Sequence, residues 1–171
     1  GVPQDPDHHP EGDVWNHTMA VLDAAAGMQA AAKEPRNLLL AALCHDFGKP
    51  ETTCADGQGH IRALRHETAG VPLAEAFIKR LTSETEVSRY VANMVALHMR
   101  PNVIAQGHPK LKTTNRLFDD SLCPEDLLLL CKADRMGQRK EAGYGPVETL
   151  LRSRLEAYRE TMAKPGVTGK D

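Results

Sequence analysis

Six ionisable side chains stand where their helices should be apolar: His17, His45, Asp46, His66, His98 and Asp134. The sharpest case is His45-Asp46, which follows the apolar run Leu38-Leu39-Leu40-Ala41-Ala42-Leu43-Cys44. Seven apolar residues in a row predict a helix buried on every side. An ionised carboxylate at the end of such a helix needs a partner, because desolvating it alone costs several kcal/mol or more. A divalent cation is an economical one, since neutral imidazole and carboxylate are both good ligands. A core His–Asp hydrogen bond without metal is the alternative for this dipeptide alone.

Helical phase extends the argument. His17 is followed by Val21, Ala24 and Met28 at i+4, i+7 and i+11, and His66 precedes Ala69, Leu73 and Phe77 with similar spacing. His98 follows Met94, Val91 and Val87, and Asp134 follows Cys131, Leu130 and Leu127. Each therefore lies on the apolar stripe of its own helix. Six inward groups on five helices predict one shared polar centre, because dispersing them would multiply the burial penalties. The set offers enough nitrogen and oxygen donors for one or two divalent ions, manganese, nickel, cobalt, iron or magnesium. Lys49 stands one turn after His45, where its cation could meet a phosphate. Arg65, Arg100 and Arg135 each adjoin a candidate ligand, which suggests a phosphate-binding rim; ordinary surface arginines are the competing reading. His8, His9, His60 and His108 fall in loops and are expected to be exposed and ordinary.

Helices must position these groups. Asp13 is placed to N-cap a helix through about residue 32, and Pro35 separates it from the central helix, about 36–46. Gly48 and Pro50 stop that helix, so His45 and Asp46 should sit where it opens to a cleft. Residues 50–61, with Gly57 and Gly59, read as a surface loop. A helix follows over about 64–81, its inner stripe carried by Leu73, Phe77 and Leu81. Ser83-Glu84-Thr85-Glu86 has the capping-box pattern and opens a helix to about His98. Pro101 and a loop holding Gly107 and Pro109 lead to a short helix near 113–119. Pro124 begins the next helix, ending at Gly137, and a last helix covers about 146–163. With no repeat and no convincing alternating strand, the chain reads as all-α.

Composition agrees. The 171 residues suit one domain with a proper core, and 41% hydrophobic with 26% charged residues is ordinary for a globular protein. Aromatics make up only 4%, which favours packed helices over sheet. A net charge of -2 gives no global pull toward nucleic acid, so any such binding needs a local patch. No run of 18 apolar residues predicts a membrane span, and no signal-peptide pattern opens the sequence. Cys44, Cys54, Cys123 and Cys131 lack CxxC spacing and read as reduced thiols of a cytoplasmic protein.

The order His17, His45-Asp46, His66, His98, Asp134 resembles the HD-domain metal-dependent phosphohydrolases, in particular members that hold two metals. The resemblance is closest to the C-terminal HD domain of bacterial tRNA nucleotidyltransferases, the CCA-adding enzymes. It is carried by Gly1-Val2-Pro3-Gln4, His9-Pro10-Glu11-Gly12-Asp13-Val14, His17-Thr18, Ala42 through Lys49, His66-Glu67-Thr68-Ala69-Gly70 and Lys132 through Gly137. The resemblance covers roughly residues 1–138 and implies a helical bundle with a buried metal centre. The chain as a whole reads as a single domain: an irregular N-terminal segment 1–12, a metal-binding core 13–138, a C-terminal helix 146–163 and a tail 164–171. The resemblance also implies that His17, His45, Asp46 and Asp134 hold one metal, with Asp46 bridging to a second near His66 and His98. The implied chemistry is attack of metal-activated water on phosphorus, with Asp46 and Lys49 catalytic and Arg65, Arg100 and Arg135 beside Lys49 at the phosphate. The expected substrates are nucleotide or RNA-end phosphate esters, through 2',3'-cyclic phosphodiesterase, 2'-nucleotidase or phosphatase activity, with tRNA a partner if the chain is part of a larger enzyme. No strand-rich region with paired carboxylates stands in this sequence, so CCA addition by these residues alone is not expected. Two rival functions fit the same residues: a non-catalytic nucleotide- or RNA-binding module, and a di-iron oxygenase.

Overall fold

The computed structural model describes residues 1–140 and 142–164. Nine α-helices and one small hairpin occur among these residues: α1 (Val14–Gly27), α2 (Pro35–Cys44), α3 (Lys49–Thr52), β1 (Thr53–Ala55), β2 (Ile61–Ala63), α4 (His66–Leu81), α5 (Thr85–Leu97), α6 (Arg100–Gln106), α7 (Leu111–Asp120), α8 (Pro124–Gly137) and α9 (Gly145–Ala163). The all-α expectation holds, apart from the hairpin. Of the tail expected over 164–171, only Lys164 lies within the described residues.

Helix α2 is the centre of the packing, set against α1, α5 and α8. Its Leu38, Ala41, Ala42 and Cys44 are fully buried, while Leu39, Leu40 and Leu43 are only half-buried. Asp126, the third residue of α8, locks the start of α2 into place. Its carboxylate accepts the backbone N–H groups of Lys33 (2.8 Å) and Glu34 (3.0 Å) and the Tyr90 hydroxyl (2.7 Å). Helices α1 and α8 meet closely at Gly137, where a Cβ would lie 2.5 Å from the Val21 side chain. That contact brings the end of α8, with Asp134, beside the start of α1, with His17.

Several local expectations are corrected. Asp13 does cap α1, its carboxylate accepting the N–H of Asn16 (2.9 Å), but α1 stops at Gly27 and a single 3-10 turn covers Gln29–Ala31. Gly48 and Pro50 do end the central helix, yet Pro50 also occupies the first turn of α3. The expected loop over 50–61 holds all of α3 but Lys49, all of β1 and the first residue of β2; the two strands pair antiparallel with Cys54 opposite Arg62. Strands of three residues are too short to display alternation, so sequence periodicity passes over them. Pro101 likewise starts α6 where a loop was expected.

The buried stripe of α4 is His66, Gly70, Ala74 and Ile78; Leu73 and Phe77 are half-buried beside it and Leu81 is exposed. Close approach of backbones decides that face, and small residues permit it, whereas a hydrophobicity pattern favours the large ones. The capping box of α5 does not form. The N-cap is Glu84, whose own N–H donates to Thr82 Oγ1 (3.1 Å), and Glu86 pairs with Arg89 instead.

Candidate metal centre

His45 caps the C-terminus of α2, His98 caps that of α5, and His66 opens α4. In each ring Nδ1–H donates to the carbonyl three residues earlier: His45 to Ala42 (2.7 Å), His66 to Ala63 (2.8 Å) and His98 to Val95 (2.7 Å). For His45 and His98 these acceptors are last-turn carbonyls, which the helix leaves unpaired. With Nδ1 committed, the neutral ring presents its Nε2 lone pair, and all three Nε2 atoms converge on Asp46. His17, inside α1, reaches the same point, and its Nδ1–H donates to Glu11 (2.7 Å). Asp134, from the last turn of α8, completes the cluster.

All six residues are buried, from 0% exposed for His17 and His45 to 7% for Asp134. They fall into two groups that share one carboxylate. Asp46 Oδ2 lies 3.2 Å from His45 Nε2 and 3.5 Å from His17 Nε2, and Asp134 Oδ1 is 2.9 Å from His17 Nε2. Asp46 Oδ1 lies 3.2 Å from His66 Nε2 and 3.8 Å from His98 Nε2. The Nε2 atoms of His17 and His45 face each other at 3.3 Å, and those of His66 and His98 at 3.2 Å. Two lone pairs at such distances repel unless a positive charge lies between them. Neighbouring donors about 2.1 Å from one cation are themselves roughly 3.0–3.4 Å apart. Asp46 Oδ2 is buried, and although the Lys49 ammonium lies 2.8 Å away, no hydrogen-bond donor is aligned on it. The donor set therefore fits divalent metal: His17, His45 and Asp46 could hold one ion, with Asp134 beside His17 and His45 as a further donor, and Asp46, His66 and His98 a second.

The electrostatics are those of a tightly interacting cluster. Burial alone would raise the Asp46 carboxyl, but His45 and Lys49 hold it well below the usual carboxylate range. Asp134 is also lowered against the cost of burial, by its contacts with His17 and His45. Burial opposes the charged form of His45, and the carboxylates of Asp46 and Asp134 more than reverse this, raising it. His98 is pushed down to about 4 by burial and by His45.

Over the cluster lies a cleft of about 180 Å³, with Asp46, Lys49, His66 and Asp134 among its lining residues. Lys49 Nζ is 2.8 Å from Asp46 Oδ2 and donates to Gln4 Oε1 (2.7 Å). One wall is the N-terminal segment, with Pro3, Gln4, Asp5 and His9; the other is the hairpin, with Thr53, Ile61 and Arg62. The three arginines expected at the rim are not among the lining residues. Arg100 pairs with Asp120 (2.8 Å) and Arg135 lies over the Tyr144 ring at 5.9 Å. Arg65 is exposed at the left-handed residue preceding α4 (φ 60°).

His8, His60 and His108 are exposed as expected, but His9 is not an ordinary loop histidine. It is half-buried, lines the cleft and donates from Nδ1 to Glu11 Oε1 (2.8 Å). Sequence periodicity had no means of finding Glu11, His9, Gln4 or Arg62, because none sits on an amphipathic helix. The resemblance did include His9-Pro10-Glu11, though without a role for those residues.

Residues 14–137 match the HD domain family. Among curated proteins, the chain is 36% identical over 143 residues to the multifunctional CCA protein of Actinobacillus pleuropneumoniae serotype 5b, covering 81% of this chain and 34% of that protein. It is 35% identical over 177 residues to that of Halorhodospira halophila, covering 96% and 39%. For that of Cupriavidus pinatubonensis the identity is 34% over 166 residues, covering 92% and 37%. The chain thus spans little more than a third of the length of these relatives. The family match runs from the first residue of α1 to the last of α8 and takes in every member of the buried cluster, so the chain belongs to the HD domain family.

Proposed function

We propose that the chain hydrolyses nucleotide or RNA-end phosphate esters at this centre, with 2',3'-cyclic and 2'-phosphates as preferred substrates. Membership of the HD domain family implies metal-dependent phosphohydrolase-type chemistry. The observation that carries the finer reading is the cleft: one buried lysine, held between Asp46 and Gln4, stands beside two donor sets that share a carboxylate. When bound, a divalent ion supplies a nucleophilic water at neutral pH and Lewis acidity toward phosphoryl oxygens.

The chain's own residues do the rest. His17, His45, Asp46 and Asp134 would hold one ion, and His66 and His98 with Asp46 a second. Asp46 keeps the two sets in register through its two oxygens. Lys49 would meet one phosphate oxygen, with its ammonium already oriented by Gln4, and Arg62 and Thr53 would contact the ester from the hairpin side. The sequence has no glycine-rich loop to cradle a triphosphate. A 2',3'-cyclic ester is strained, so it asks less of leaving-group chemistry than an ordinary diester. The resemblance to tRNA nucleotidyltransferases, with which the relatives' name of multifunctional CCA protein agrees, supports RNA ends, tRNA included, as the source of such phosphates. The compartment we infer is the cytoplasm; all four cysteines are free, and no helix among the described residues is long and apolar enough to cross a membrane.

The test is kcat/KM for a 2',3'-cyclic nucleotide, a 2'-monophosphate and a nucleoside triphosphate, on metal-stripped protein refilled with each divalent ion. The cyclic ester should lead, and Asp46→Ala should lose both metal and turnover. Equal turnover of the triphosphate would reject the substrate class. Tight metal binding with no turnover of any ester would favour the binding module, and an iron absorption band with oxygen consumption the oxygenase.

A further inference from the structure

We propose that Glu11 is a positioning residue for the centre: its carboxylate holds the Nδ1–H of His17, so that Nε2 of that ring is the free donor atom facing Asp46 and Asp134. The proposal rests on the reading of His17 as a metal ligand, and it concerns a residue that lies outside the cluster and outside the span of the family match.

His17 is the odd member of the four central histidines. His45, His66 and His98 stand at helix ends and fix their rings on a carbonyl three residues back. His17 lies inside α1, and the equivalent carbonyl, that of Val14, already accepts the Thr18 hydroxyl (2.7 Å). Helical carbonyls are taken by the helix's own N–H groups, so an acceptor for His17 Nδ1 has to come from elsewhere. It comes from the N-terminal segment. Glu11 turns a carboxylate, only 3% exposed, toward the ring at 2.7 Å. The N–H of Gly12 donates to His9 and the Gln4 amide donates to Gly12, which ties the segment down around Glu11.

Burying a carboxylate is costly, and this one is not fully compensated. Oε1 accepts from both His17 and His9, while Oε2 is buried with no hydrogen-bond partner. A negative charge retained there acts on the ring it touches. An anionic acceptor fixes the tautomer and makes the far nitrogen a stronger donor than a neutral carbonyl does. Glu11 would thus give one ligand of the first set, His17, a carboxylate acceptor at Nδ1, where the other three histidines donate to a backbone carbonyl. Through His9, the same oxygen also ties the cleft wall to the metal set.

The experiment uses the full chain with zinc as the probe. Zinc affinity is measured by chelator competition for wild type, Glu11→Gln and Glu11→Ala, and the His17 tautomer is read by nitrogen-15 NMR on metal-free protein. Loss of the carboxylate should weaken zinc roughly 10- to 100-fold, and Glu11→Gln, which keeps the shape without the charge, should fall between. His17 should carry its proton on Nδ1 in wild type and shift toward Nε2–H in Glu11→Ala. Zinc affinity within twofold of wild type together with an unchanged tautomer would overturn the proposal, and if Glu11→Ala does not fold, Glu11→Gln decides on affinity alone. Asp46→Ala separates the two readings: if it keeps zinc, the site assignment fails, and if it loses zinc while the Glu11 variants do not, only the role of Glu11 fails.

Discussion

The backbone of Gly48 lies so close to the carbonyl of His66 that a Cβ at residue 48 would come within 2.0 Å of that oxygen and 2.7 Å of the Gly70 nitrogen. This contact seats the turn carrying His45 and Asp46 against the start of α4, and so sets Asp46 Oδ1 at 3.2 Å from His66. Gly48→Ala should therefore push α4 away and cost about 1–3 kcal/mol of stability, the range for overpacking. Urea unfolding measures the stability loss and zinc titration the second donor set, where stoichiometry should fall toward one ion per chain. Two ions retained at wild-type affinity would refute the link between this glycine and the site.

Asp126 predicts a loss of stability without a loss of site chemistry. Its fully buried carboxylate satisfies Lys33, Glu34 and Tyr90 at the start of α2, while the centre lies at that helix's other end. Asp126→Ala leaves three donors without their charged acceptor and should cost about 3 kcal/mol. In chains that remain folded, zinc stoichiometry should be unchanged.

Arg62 and Arg100 should separate in kinetics. Arg62 lines the cleft, with Asp56 3.6 Å from its guanidinium, whereas Arg100 lies outside the lining and pairs with Asp120 at 2.8 Å. Arg62→Ala should raise KM for a 2',3'-cyclic nucleotide several-fold with kcat nearly unchanged, the sign of lost uniform binding. Arg100→Ala should leave both parameters within twofold. The reverse ranking would return Arg100 to the phosphate rim.

The metal-free protein should lose stability as pH falls from about 6.5 to 4. His98 is held down to about 4 by burial and by His45, against 6.5 when unfolded. Within that window the unfolded chain binds a proton that the folded chain does not, so stability rises with pH. His45, raised above 6.5, acts in a different window: its contribution is complete below 6.5 and is lost as pH rises through its folded value. The lowered Asp46 and Asp134 contribute above the unfolded carboxylate value of 3.8, and that contribution is lost only in stronger acid. Urea midpoints of chelator-treated wild type and His98→Asn between pH 4 and 7 check this. The slope should be shallower in the variant, and an equal slope would assign the acid sensitivity elsewhere.

Sequence alone determined the helical class and the membership of the central cluster, for a common physical reason. A polar side chain on an apolar stripe is a local contradiction, and period 3.6 exposes it for His17, His98 and Asp134 without any knowledge of tertiary packing. His45-Asp46 was legible from the length of the apolar run before it. His66 was identified through a stripe that proved slightly rotated, because Gly70 and Ala74, not Leu73 and Phe77, face the neighbouring backbones. Tertiary structure decided what surrounds the centre. Glu11, His9 and Gln4 sit on irregular backbone and Arg62 on a three-residue strand, where no period marks an inward face. Arg65, Arg100 and Arg135 were candidates by adjacency, but Arg135 is turned about 100° around α8 from Asp134, Arg65 sits in a left-handed turn before α4, and Arg100 begins a new helix after His98. A neighbour in sequence is therefore not a neighbour in the site, and only the packing of distant segments chose which cations face the cleft.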